Sequence, residues 1–236
     1  MSAGNEHFSI RTYGRRKGHA LSPRRTRLLE ELLPRLKLDL SAAPPAPLTS
    51  LFAPGLFAPG VSQVWLEIGF GAGEHLAWQA QTHPDAGIIG CEPFINGVAA
   101  LLGEIDERNI GNIRIWDDDA RDVLDWLEDA SIDRVFVLYP DPWPKTRHHK
   151  RRLISPRTLK ILARVMKRGA ELRIGSDITD YVRATLEAVF ATPDFEWLAE
   201  RAEDWRIRPP DWPQTRYEKK AVQEGRKGHC LIFRRI

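Results

Sequence analysis

A chain of 236 residues with 42% hydrophobic and 28% charged side chains has the size and balance of one well-buried α/β domain, which excludes a fibrous or disordered chain. The formal charge of +3 is small, and no secretory apolar region or run of about eighteen apolar residues appears, which argues against export or membrane spanning and for the cytoplasm. Cys91 and Cys230 stand in separate apolar runs, so both read as buried, reduced packing residues rather than a disulfide or a thiolate metal site.

Residues 1–40 read as a basic N-terminal segment crowded with Arg11, Arg15, Arg16, Lys17, Arg24, Arg25 and Arg27. One helix is predicted there, with Ser22 as cap, Pro23 in the first turn and Leu28, Leu29, Leu32 and Leu33 as its apolar face. Residues 41–62 form a Pro/Ala/Gly-rich linker in which LFAPG occurs twice in succession. From residue 63 to 236, short apolar runs alternate with helical ones: VWLEI, a helix over 75–81, GIIGCE, a helix over 98–105, NIRIW and a short helix over 123–127. RVFVLYP, a helix over 159–166, AELRIG and a helix over 181–190 follow. That alternation predicts βαβ units, an α/β fold and a mostly parallel sheet. The final HCLIFRRI reads as a last strand, edge or antiparallel, because no helix-length crossover immediately precedes it.

LEIGFGAGEHL places Gly69, Gly71 and Gly73 between a strand and a helix, where glycine allows a sharp turn and close approach of a ligand to the helix N-terminus. The spacing is GxGxG rather than the dinucleotide GxGxxG, and Glu67 precedes it on the strand. A carboxylate so placed disfavours phosphates and favours a ligand with a cationic amino-acid end, S-adenosylmethionine over NAD. Glu92 after the second strand suits the two ribose hydroxyls, and Asp119 with Ala120 after the third would flank the adenine. Three successive strand ends thus aim Glu67, Glu92 and Asp119 at the edge where open α/β sheets bind ligands.

After the fourth strand, YPDPWPK carries alternating prolines that stiffen the loop around Asp141. RHHKRR follows, and with Arg216, Lys219, Lys220, Arg226 and Lys227 near the C-terminus it makes the basic charge clustered, as in a polyanion binder. His148 and His149, adjacent on an expected extended loop with no third ligand at suitable spacing, do not read as a metal site.

The chain resembles the bacterial tRNA (guanine-N7)-methyltransferases, class I S-adenosylmethionine-dependent enzymes. The resemblance rests on LEIGFGAGEHL, CEPF, DDDARDVL, PDPWPKTRHHKRRL, Ser176-Asp177 and Thr215-Arg216-Tyr217-Glu218, in that order. It implies a Rossmann-like, mostly parallel seven-stranded sheet with helices on both faces, and methylation of guanosine at position 46 in the tRNA variable loop. It further implies that Glu67, Gly69, Gly71, Glu92, Asp119, Ala120 and Asp141 bind the cofactor, with Asp141 also catalytic. Lys145, Asp177, Thr215, Arg216, Tyr217 and Glu218 would face the guanine, and Arg147, His148, His149, Lys150, Arg151 and Arg152 the tRNA backbone. Tyr217 or Trp143 can stack on the base. The longer linker, and SD where TD is more usual, depart from the family pattern; monomer and homodimer both stay open. A methyltransferase for another RNA, DNA or protein, or an inactive RNA-binding factor of the same fold, are the alternatives.

Overall fold

The computed structural model describes residues 14–52 and 60–236. Arg11 and most of the doubled LFAPG lie outside the described residues. The N-terminal segment carries two helices where one is predicted, α1 (Pro23–Glu31) and α2 (Leu33–Leu36). Pro34 explains the break, because a proline inside a continuous helix lacks its N–H and clashes with the carbonyl four residues back. Ser22 caps α1 as expected, its hydroxyl accepting from the Arg25 N–H.

Three strand–helix pairs follow: β1 (Gln63–Ile68) with α3 (Glu74–Thr82), β2 (Ala86–Cys91) with α4 (Ile95–Arg108), and β3 (Ile113–Trp116) with α5 (Ala120–Trp126). Beyond them run β4 (Ile132–Leu138), a 3-10 helix at Thr146–Arg151, α6 (Pro156–Val165), β5 (Met166–Ser176) and α7 (Thr179–Phe190). The chain closes with β6 (Phe195–Trp197), α8 (Glu203–Arg206), α9 (Arg216–Gln223) and β7 (His229–Arg235).

The strands form one seven-stranded sheet in the order β3-β2-β1-β4-β5-β7-β6. It is parallel through β5, and β7 runs antiparallel between β5 and β6. The last strand is therefore antiparallel but not the edge. The edge is β6, whose three residues are too few to show a two-residue period.

Every residue of β2 is buried, as expected of a parallel strand covered on both faces. Along β1 the pleat alternates: Leu66 and Ile68 pack with residues of α5, α6 and α7, while Trp65 packs with α1 to α4. Glu67 therefore points to the α3 side. Leu28, Leu33 and Leu36 are buried in that same core, about 1.5–3 kcal/mol each, and Arg24 pairs with Asp106 at 2.9 Å on α4. Cys91 and Cys230 are free and buried, and desolvation pushes the Cys230 thiol up to about 12. No described helix is long and apolar enough to cross a membrane.

Candidate active site

A cavity of about 380 Å³ opens beyond the C-terminal ends of β1, β2 and β4, where the strand order reverses and open α/β sheets bind ligands. Gly69 and Gly71 line it, and with Gly73 they make a loop with φ of 75°, 59° and 81°, values that favour glycine. The Gly71 N–H donates to Glu92 Oε2 at 2.7 Å and the Phe94 N–H to Oε1 at 2.9 Å. Glu92 thus clamps the glycine loop to the start of α4, and each oxygen keeps further lone-pair capacity. Burial, reinforced by the charges of Asp141 and Glu67, pushes the Glu92 carboxyl above its ordinary range despite those two N–H bonds. Gly97, not singled out by the sequence reading, belongs to this clamp: a Cβ there would lie 2.1 Å from the Gly71 carbonyl oxygen.

Gly69, Gly71, Glu92, Asp119, Ala120 and Asp141 all line the cavity. Asp119 caps α5, accepting from the Arg121 N–H at 3.1 Å. Glu67 does not line it, which corrects the expectation of three carboxylates on one edge. The pleat turns its side chain towards α3, where it is 2% exposed with His75 Nδ1 at 2.7 Å from Oε2. It lines instead an annex of about 20 Å³ that shares Gly69, Leu138, Tyr139 and Tyr217 with the main cavity.

The proline loop is bracketed by Tyr139 and Trp143, with φ of 50° and 43°. Left-handed backbone at non-glycine residues costs about 1–3 kcal/mol each and persists only where the surroundings enforce it. Tyr139 N–H bonds to the Gly175 carbonyl at 2.8 Å, and Arg152 Nε donates to the Pro142 carbonyl at 2.9 Å. Asp141, exposed, is presented to the cavity between these supports.

RHHKR lies in a 3-10 helix rather than an extended loop, with Arg152 as its C-cap, and the three-residue turn sorts the side chains into columns. His148 and Arg151 share the Trp143 side: the His148 ring meets Trp143 edge-on at 5.9 Å, and the Arg151 guanidinium lies 4.9 Å from the Trp143 ring. His149 and Arg152 share the α7 side, at 3.9 and 2.5 Å from Asp180 Oδ2. Arg147 and Lys150 are exposed on the third side. Arg152 therefore departs from its expected place on the tRNA backbone: it is a buried strut, 8% exposed. Arg151 lines the cavity.

Of the residues expected to face guanine, only Tyr217 lines the main cavity, its ring against Gly71 and stacked on Tyr139 at 6.5 Å and 18°. Thr215 caps α9 by accepting from the Glu218 N–H at 3.2 Å. Arg216 is fastened to Glu74 through its backbone N–H at 2.9 Å and its Nε at 2.8 Å. Glu218 lies 3.3 Å from Arg208, and burial pushes its carboxyl up. Asp177 pairs with Arg226 at 2.6 Å, and Lys145 is exposed just before the 3-10 helix. Gly14 and Arg15 of the N-terminal segment also line the cavity, held by the Ile95 N–H to Arg16 carbonyl bond of 3.1 Å. Among the described residues no group of three or more His, Cys, Asp or Glu side chains could hold a metal ion.

Residues 62–231 match the family described as "Putative methyltransferase". The protein named tRNA (guanine-N(7)-)-methyltransferase from Rhodospirillum rubrum is 52% identical over 225 residues, 95% of this chain and 88% of that one. Its namesake from Ruegeria pomeroyi is 51% identical over 230 residues, 95% and 94% of the two chains. A solved rRNA methylase from Streptococcus thermophilus, 10% identical, superposes with a TM-score of 0.51 over 74% of this chain and 87% of that one, a likeness of fold. The chain belongs to the tRNA (guanine-N(7)-)-methyltransferase family and has its class I, Rossmann-like fold.

Proposed function

We propose that this protein transfers the methyl group of S-adenosylmethionine to N7 of the guanosine at position 46 in the tRNA variable loop, in the cytoplasm, giving 7-methylguanosine. The observation that carries the reading is a stiff loop presenting Asp141 to a cavity walled by the glycine loop and Glu92.

The residues present suit the cofactor. Backbone bared by glycine, together with the carboxylates Glu92, Asp119 and Asp141, suits a cationic ligand without phosphates. Gly69, Gly71, Glu92, Asp119, Ala120 and Asp141 would hold it, with Glu92 accepting from the ribose hydroxyls and Glu67 meeting the ammonium end through the annex. Bound S-adenosylmethionine supplies an electrophilic methyl group, whose bond to sulfur breaks as its bond to N7 forms.

N7 offers an in-plane lone pair and carries no proton, so no general base is required. The protein's contribution is orientation and electrostatics. Asp141 accepts from the guanine N–H donors or offsets the positive charge appearing on the ring. Tyr217 or Trp143 supplies a stacking face for a base extruded from the tRNA core. Asp177, Thr215, Arg216 and Glu218 shape the guanine side by holding α9 and the loop before β7, with Lys145 at the rim. Arg147 and Lys150 meet phosphates from the outward column of the 3-10 helix, while His148, His149, Arg151 and Arg152 back that surface.

Radiolabelled S-adenosylmethionine and an unmodified tRNA transcript test the reading. Label should appear in 7-methylguanosine, and Asp141→Ala should abolish transfer while changing tRNA affinity less than about threefold, under 1 kcal/mol. Label in protein or DNA but not in tRNA would replace this substrate with another.

A further inference from the structure

We infer that His75 is a positioning residue that sets the orientation of Glu67, and that its tautomer is dictated by the chain segment leading into the substrate side of the site. His75 and Glu67 are each 2% exposed. His75 lies on the first turn of α3, where the β1 pleat delivers Glu67, and its Nδ1 is 2.7 Å from Glu67 Oε2. One helical turn on, Gln79 Nε2 lies 3.1 Å from His75 Nε2 and 2.8 Å from the Asp211 carbonyl oxygen.

The proton positions follow from the end of that chain. A backbone carbonyl only accepts, so the Gln79 atom facing Asp211 must be the NH₂ group; the reverse orientation would set two oxygens 2.8 Å apart. The same NH₂ group then faces His75 Nε2, which must accept. His75 therefore carries its proton on Nδ1 and donates it to Glu67 Oε2, leaving Oε1 for another donor. This orientation leaves Gln79 Oε1 buried without a partner, so the bonds to Asp211 and His75 together outweigh that cost. Asp211 is in turn fixed by Arg173 of β5, Oδ2 to NH1 at 2.7 Å, and the chain continues from there to Thr215–Glu218. A hydrogen-bonded path thus links the β1 carboxylate to the segment before α9.

The functional part of this inference rests on the proposal that Glu67 receives the cofactor's ammonium group. A histidine that only filled space would be indifferent to which nitrogen carries the proton. Asparagine places its amide nitrogen near the Nδ1 position of histidine and glutamine near Nε2, so the two amides separate the roles. Binding of S-adenosylhomocysteine, which keeps the ammonium group, is measured by calorimetry on the full chain. His75→Phe and His75→Gln should weaken it about tenfold or more, the loss of one charge-assisted hydrogen bond, and His75→Asn should restore it to within about threefold. In the unsubstituted protein, nitrogen-15 spectra of labelled histidine should show the Nδ1–H tautomer for His75, a readout independent of ligand and of the variants' folding. The Nε2–H tautomer, or equal affinity losses for Phe and Asn, would overturn the inference. If Glu67→Gln loses affinity while His75→Phe binds normally, the positioning role alone fails. If Glu67→Gln also binds normally, the role proposed for Glu67 fails with it, whereas the tautomer measurement stands by itself.

Discussion

Arg152 separates two ways of reading a run of basic residues. If it binds phosphate, its removal should weaken tRNA binding and leave stability untouched. If it is the strut described here, its removal takes away the donor to the Pro142 carbonyl at 2.9 Å, beside Asp141, and the link to Asp180 at 2.5 Å. A bond from a charged donor to a part-buried carbonyl such as that of Pro142 is worth about 1.5–3 kcal/mol. Asp180, 42% exposed at its side chain and also paired with Arg183 at 2.7 Å, rehydrates readily and adds little. Arg152→Ala should therefore lower stability by about 2–3 kcal/mol, a Tm drop of about 5–10 °C for a chain of this size. Transfer should slow as Asp141 loses its rigid support. The salt dependence of tRNA binding should stay as it was. Arg147→Ala with Lys150→Ala should do the reverse, reducing the logarithmic salt slope by about one for each phosphate no longer neutralised at unchanged Tm. An Arg152→Ala protein with wild-type Tm and a reduced salt slope would refute the division.

Two further perturbations act on the cofactor side. Glu92 has its pKa raised in the fold, so it takes up a proton at a pH where the unfolded chain stays ionised. The ligand-free protein should therefore gain stability from Glu92 as pH falls through that window. Affinity for S-adenosylhomocysteine should fall over the same window as the acceptor is lost. Melting curves and calorimetry across the acidic range check both trends, which Glu92→Gln should flatten. Gly97→Ala should push α4 off the glycine loop, since its methyl would lie 2.1 Å from the Gly71 carbonyl oxygen. A cost of about 1–3 kcal/mol and a loss of cofactor affinity of about tenfold or more are expected by melting and calorimetry, with tRNA affinity unchanged.

The parallel part of the sheet was legible because each strand and helix carries its own period: β1 to β5 and α3 to α7 all overlap the segments expected from the apolar pattern. Phe195–Trp197 and Glu203–Arg206 escaped because they are shorter than the windows in which a period can be counted, and α9 escaped because Ala221 alone of its eight residues is buried. The glycine loop and the cap residue Ser22 were readable because their chemistry is local. Which way a side chain points was not. Pleat parity turns Glu67 to α3 and into the annex, and the three-residue turn swings Arg152 onto α7. Gly97 and His75 matter through partners 26 and 8 residues away, Gly71 and Glu67, and distant pairing of that kind leaves no trace in periodicity.

The most direct test uses a tRNA transcript carrying 7-deazaguanosine at position 46, where a C–H group replaces N7 and nothing else changes. Methyl transfer should vanish while the transcript still competes with ordinary tRNA for binding. Undiminished methylation of that transcript would contradict attack by N7 of that guanosine.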